Sequence, residues 1–178
     1  MLHYRDFRLK LGADADALLA HSAVNATNEF SNVLDTITPK PLVTVELGTF
    51  YGATATVLAS MTRDWVFTFD VVSHKDEILE IKKAFNYYLD DMFCPIFWEI
   101  VYGATPRVEI AKSLKTVNFD FSFVDTIHTY DEVKADFELV KSCGRVLIHD
   151  VHMEEVGQFL KDIKGTRVSN ALGYWEKS

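Results

Sequence analysis

The chain has 178 residues, 48% of them hydrophobic and 25% charged, with a net charge of −8. That length buries roughly 70% of its unfolded surface around one core, so a single domain over residues 1–178 is expected. The acidic balance argues against a nucleic-acid partner, which needs a basic face, and no apolar run approaches membrane-spanning length.

Met1 to Lys10 carries Arg5, Asp6, Arg8 and Lys10 and lacks the apolar stretch of a secretory leader. Residues 1–40 read as a helical preface. Ala15–Ala20 and Asn28–Ile37 hold apolar residues at helical spacing, among them Phe30, Val33, Leu34 and Ile37, and Pro39 and Pro41 stop the second helix. From residue 41 onward, strands and helices alternate. Strands are expected at Leu42–Glu46, Trp65–Asp70, Ile96–Tyr102, Phe119–Asp125 and Arg145–Asp150. The helices that follow them are expected at Gly52–Met61, Lys75–Leu89, Arg107–Leu114, Tyr130–Lys141 and Glu154–Ile163. The strands are short and almost continuously apolar, as in a parallel sheet covered on both faces. Five such units in series predict an α/β fold with a doubly wound, mostly parallel, Rossmann-like sheet. The tail, Thr166–Trp175, adds one or two edge strands, at least one of them antiparallel.

Ligands of such sheets sit beyond the carboxyl ends of the strands. A lone carboxylate there commonly caps a turn. Here four of the five predicted strands end on one: Glu46, Asp70, Asp125 and Asp150. The first is followed by Gly48, Thr49, Phe50, Tyr51 and Gly52, a loop whose glycines let backbone approach a ligand and whose helix start offers free N–H groups. Glu46 repels a pyrophosphate and attracts a cationic amino-acid group. The loop also lacks the Gly-x-Gly-x-x-Gly of nicotinamide-binding sheets.

Asp125 and Asp150 end strands expected to be neighbours about 5 Å apart. With His128, His149 and His152 close by, they form a candidate divalent-cation site for Mg²⁺ or Mn²⁺, its ligands Asp125, Asp150 and His152. The alternative is a metal-free set of carboxylate–histidine pairs. Phe85, Tyr87 and Tyr88 read as core, and Tyr51 and Tyr130 as facing the pocket. Cys94 and Cys143 fit neither a metal motif nor a disulfide framework, which suits a reducing, cytoplasmic setting.

Three segments together resemble the class I S-adenosylmethionine-dependent methyltransferases, in particular small O-methyltransferases of sugar and macrolide-tailoring type, akin to the catechol O-methyltransferases. They are Glu46-Leu47-Gly48-Thr49-Phe50-Tyr51-Gly52, Phe67-Thr68-Phe69-Asp70, and Asp125-Thr126-Ile127-His128-Thr129-Tyr130 taken with His149-Asp150. The resemblance implies a donor site at Glu46, Gly48, Thr49, Tyr51, Gly52 and Asp125, with Asp70 on the ribose hydroxyls and Gly103 and Ala104 near the adenine. It implies a small hydroxylated acceptor, with His128 taking its proton beside Asp125 at rates rising through pH 6 to 7. The chain departs from the pattern at Thr126, where the family usually has glycine, and at Val151, where catechol-type enzymes carry another ligand. It is also short, so the preface or a second copy of the chain must roof the acceptor. Two other readings are a domain that merely binds or degrades the donor and a nicotinamide oxidoreductase.

Overall fold

The computed structural model describes residues 2–19, 22–25, 27–89, 95–101 and 106–177. The preface forms α1 (Tyr4–Leu11), α2 (Ala15–Leu19) and α3 (Glu29–Thr36). There follow β1 (Val43–Leu47), α4 (Ala53–Ala59), β2 (Trp65–Asp70), α5 (Lys75–Leu89), β3 (Ile96–Ile100), α6 (Pro106–Leu114) and β4 (Phe121–Val124). The chain closes with α7 (Tyr130–Val140), β5 (Arg145–Ile148), α8 (Glu154–Asp162), β6 (Thr166–Arg167) and β7 (Gly173–Glu176). Helix α1, which the preface reading did not single out, sets Tyr4, Phe7 and Leu11 at helical spacing, with Phe7 buried and the other two packed against the core.

The sheet has seven strands in the order β3-β2-β1-β4-β5-β7-β6. The first five are parallel, while β7 runs antiparallel to both β5 and β6. This is the expected Rossmann-like sheet with an antiparallel edge. Strands β4 and β5 are shorter than expected, so Asp125, His149 and Asp150 lie just past the strands that aim them.

Side-chain alternation along each strand splits the core in two. On one face Phe121, Phe123 and Leu147 meet the preface, α4 and α5. Phe7 packs on Phe85 at 4.6 Å and Phe30 on Phe123 at 4.8 Å between ring centroids. The preface is therefore part of the core on that face as well as a cover. On the other face Val45, Leu47, Phe69, Val124 and Ile148 pack against residues of α6, α7 and α8. Among the described residues no helix is long and apolar enough to cross a membrane.

The ladder continues one residue past the strands. Gly48 N–H donates to the Phe69 carbonyl (2.9 Å), Asp125 N–H to Leu47 (2.9 Å) and His149 N–H to Val124 (3.0 Å). Gly48, Asp125 and His149 thus stand in one row. The row is tight, because a Cβ on Gly48, whose φ is +99°, falls 1.8 Å from the Asp125 carbonyl oxygen. Gly12 also has positive φ (+61°), but a Cβ there meets nothing within 4 Å. Gly48→Ala is therefore expected to cost at least about 3 kcal/mol and Gly12→Ala about 1–2 kcal/mol. Thermal unfolding checks this. Equal losses in the two variants would mean that backbone strain, not the close approach, decides.

Candidate active site

Asp70 ends β2 and organises the glycine loop. Its Oδ2 accepts the Phe50 N–H at 2.7 Å, and its Oδ1 accepts those of Val71 and Val72 at 2.7 and 2.9 Å. Phe50 sits in the left-handed region (φ 46°), a costly place for a bulky residue that the Asp70 bond helps to hold. Its ring stacks on Tyr51 at 3.8 Å, and both meet the edge of His74.

The loop glycines serve the protein's own packing. The side-chain space of Gly48 is filled by the Asp125 carbonyl and that of Gly52 by the Trp98 ring, 2.6 Å from an added Cβ. Both positions expected to open backbone to a ligand are thus also required to be glycine by internal packing.

Glu46 is 0% exposed. Its Oε2 accepts the Thr68 hydroxyl at 2.5 Å, and the Thr68 and Thr49 hydroxyls lie 2.5 Å apart. Burial drives the carboxyl well above the usual carboxylate range, and the charges of Asp125 and Asp70 push the same way against the Thr68 bond. Among the described residues Oε1 has no hydrogen-bond partner. The Glu46 carboxyl is thus biased toward its neutral form and has one open oxygen among the described residues, one residue before the end of β1.

Beyond the tips lies a cavity of about 480 Å³. Leu47, Gly48, Phe50, Phe69 and Asp70 form one side of it. Pro106, Arg107 and Ile110 of α6, Asp125, Thr126 and Ile127 of the loop after β4, and Glu132 and Asp136 of α7 form the other. Of the donor residues expected from sequence, Gly48, Asp70 and Asp125 line this space. Glu46, Thr49, Tyr51 and Gly52 do not; they support it from behind. Gly103 and Ala104 lie outside the described residues. Tyr130 was expected to face the pocket, but its hydroxyl donates to Asp162 of α8 at 2.8 Å and its ring packs edge-on to Phe159.

The sequence reading missed the Arg107 wall. Arg107 Nε donates to Asp136 at 2.6 Å, and Nη2 donates to the Glu132 carboxylate. The Thr126 hydroxyl donates to the other Asp136 oxygen at 2.5 Å. Thr126 is the residue that departs from the family glycine, and the structure gives it a bonding role. A signal was present: Asp136 sits at helical spacing on the buried stripe of Val133, Phe137 and Val140, where a carboxylate demands partners.

At the other end of the row two carboxylates face two imidazoles. His128 Nε2 lies 2.9 Å from Asp150 and 3.7 Å from Asp125. His149 Nδ1 lies 3.2 Å from each. Asp150 adopts a left-handed φ of 54°, which turns the chain after β5. Asp125 and Asp150 hold His128 protonated up to about 9. Burial opposes the charge on His149, yet the same carboxylates raise it to about 10. Both carboxyls are lowered in return despite their burial. Ligand atoms of Asp125, His149 and Asp150 lie within 4.8 Å of one another, a spacing that suits one metal ion. His152, expected as a ligand, stands 3.6 Å from Asp150 on the exposed rim and outside that group. His149 takes its place, because the ladder sets it directly beside Asp125.

A doubly wound sheet with acids at adjacent tips and a cleft beyond them defines a small-molecule enzyme of the nucleotide-cofactor class. The chain belongs to the methyltransferase-domain family, whose model matches residues 45–151. No curated protein matches it. Among solved structures it is similar to an O-methyltransferase from Bacillus cereus in complex with SAH, at TM-score 0.65 and 16% identity over 97% of this chain and 91% of that one. It is also similar to the O-methyltransferase TomG from Streptomyces achromogenes, involved in tomaymycin synthesis and solved with SAM, at TM-score 0.63 and 15% identity over 97% and 90%. The SAH-bound methyltransferase PaMTH1 from Podospora anserina aligns at TM-score 0.55 and 19% identity over 98% and 86%. At these identities the likeness establishes the fold.

The carboxylate–imidazole cluster has a direct spectroscopic consequence. In the metal-free protein the His128 and His149 rings should titrate near 9 and 10 by NMR, not near 6.5. Asp150→Asn removes a negative partner from both and should lower both midpoints. Midpoints near 6.5 in the unaltered protein would show that the imidazoles do not pair with Asp125 and Asp150 in solution.

Proposed function

We propose that the protein is an S-adenosylmethionine-dependent O-methyltransferase for a small hydroxylated acceptor. The observation that carries the reading is one row of strand tips that sets Asp70 and Asp125 on a single cavity, with His128 Nε2 3.7 Å from Asp125, in a chain of the methyltransferase-domain family. The donors held by the similar O-methyltransferases support it.

When bound, the donor supplies a methyl group already activated by its sulfonium. The chain's own residues do the rest. Asp70 Oδ2 spends one lone pair on Phe50 N–H and keeps another for a ribose hydroxyl. Leu47, Phe69, Ile110 and Ile127 give the cavity apolar surface. His128, once neutral, keeps on Nε2 the proton that it donates to Asp150 and takes the acceptor's hydroxyl proton at Nδ1. Asp125, His149 and Asp150 form the donor set for a divalent cation, which would acidify that hydroxyl; an imidazole in the set favours Mn²⁺ over Mg²⁺.

Calorimetry with SAH tests donor binding. A charge-assisted bond contributes about 1.5–3 kcal/mol, so Asp70→Ala should bind SAH about tenfold or more weakly, and NAD should not bind the unaltered protein. Unchanged SAH affinity in the variant, or tight NAD binding, contradicts the reading.

Turnover tests the base. His128→Ala should lose about 10²–10⁴-fold in rate with little change in SAH affinity. The folded-state pKa of His128 is raised, so its basic form appears only as pH climbs through about 9. The metal-free rate should therefore rise toward pH 9, higher than the range of 6 to 7 expected from sequence. A cation that neutralises Asp125 and Asp150 should move the midpoint down. A rate independent of His128 assigns the proton transfer elsewhere, and a midpoint unmoved by Mn²⁺ argues against a cation at these carboxylates.

A further inference from the structure

The wall formed by Arg107 and Glu132 has bonding capacity that the proposed reaction does not yet use. Arg107 spends Nε and Nη2 on Asp136 and Glu132, and its Nη1 donors have no partner among the described residues. One Glu132 oxygen takes Arg107 and the other has no partner there. Both side chains line the cavity and are only partly covered, at 36% and 37% exposure. Asp136, at 6%, is fully engaged by Arg107 and Thr126 and fixes the guanidinium fork in place. Next to this polar end, Leu47, Phe69, Ile110 and Ile127 supply apolar faces. The cavity therefore sets apolar side chains beside one N–H donor and one carboxylate acceptor.

We infer that Arg107 and Glu132 read the N1/N6 edge of the donor's adenine, Arg107 donating to N1 and Glu132 accepting from the N6 amino group. The inference rests on the proposed donor and adds specificity-determining residues to it. Adenine presents an acceptor beside a donor on that edge. Hypoxanthine presents N1–H and O6, the reverse pattern. A base tethered at its ribose end near Asp70 cannot turn over to repair the mismatch, so a carboxylate oxygen faces O6 and a guanidinium N–H faces N1–H. Sites built to bond a polar group reject the analogue that cannot answer it.

The test is calorimetry of the unaltered protein and of Glu132→Gln with S-adenosylhomocysteine and with its deaminated analogue S-inosylhomocysteine. The unaltered protein should favour the adenosyl compound by about tenfold or more. Glu132→Gln keeps the shape but can offer an amide N–H to O6, so the preference should fall toward one or reverse. Arg107→Lys keeps the charge but loses the fork, and it too should shrink the preference. A variant that is merely loosened weakens both ligands alike and leaves their ratio unchanged. That unchanged ratio overturns the inference. Equal binding of both compounds by the unaltered protein also overturns it and leaves the donor reading intact, whereas binding of neither removes the donor reading and the inference with it.

Discussion

The backbone ladder that runs one residue past β1, β4 and β5 sets the whole site. Three N–H···O bonds place Gly48, Asp125 and His149 side by side at strand spacing, close to 4.8 Å. Only a residue without Cβ fits at the β1 end of that row, because the Asp125 carbonyl occupies the space. Alternation then decides what each neighbour does. Leu47, Phe69 and Ile148 turn into the core beneath α6, α7 and α8, and Leu47 and Phe69 also line the cavity. Glu46 and Phe123 belong to the opposite alternation, and Phe123 packs with the preface.

This placement makes the site's electrostatics self-contained. Two half-buried carboxylates face two imidazoles, and each pair holds the other in its charged form, so the cluster is close to neutral without any outside ion. A cation entering it must displace at least the proton on His149, which couples its affinity to pH. Below the row, Glu46 is pushed to its neutral form by burial first and by its acidic neighbours next. Glu29 of α3 accepts the Ala171 N–H at 2.9 Å, and Ala171 in turn accepts from Val151 just past Asp150. The preface is tied in this way to the turn that carries the cluster.

Periodicity was enough to read the sheet, its order of units and the antiparallel edge, because continuous apolar runs and their breakers record burial on two faces. It was enough, too, to mark Asp70, Asp125 and Asp150 as strand-end acids. Which way each side chain points was not readable. Glu46 and Leu47 are adjacent in sequence, but β-strand alternation sends one behind the cavity and the other into its wall. Tyr51 and Tyr130 are aromatic residues beside the expected site, and other partners, the Phe50 ring and the edge of His74 for Tyr51 and Asp162 of α8 for Tyr130, draw them elsewhere. His149 replaces His152 as a candidate ligand because strand pairing, not sequence proximity to Asp150, brings it to Asp125.

Asp136 joins the two halves of this chemistry. One of its oxygens holds Arg107 on α6, the wall of the cavity, and the other holds Thr126, the residue immediately after Asp125 and two before His128. Glycine at position 126 would leave the loop after β4 free to choose its own path. Threonine commits that loop to α7 through a bond between a hydroxyl and a buried carboxylate, the kind that costs most when one partner is removed. Through Asp136 the cavity wall on α6 and the loop that carries Asp125 and His128 are bonded to the same helix, so the departure from the family glycine is itself part of how this chain holds that loop.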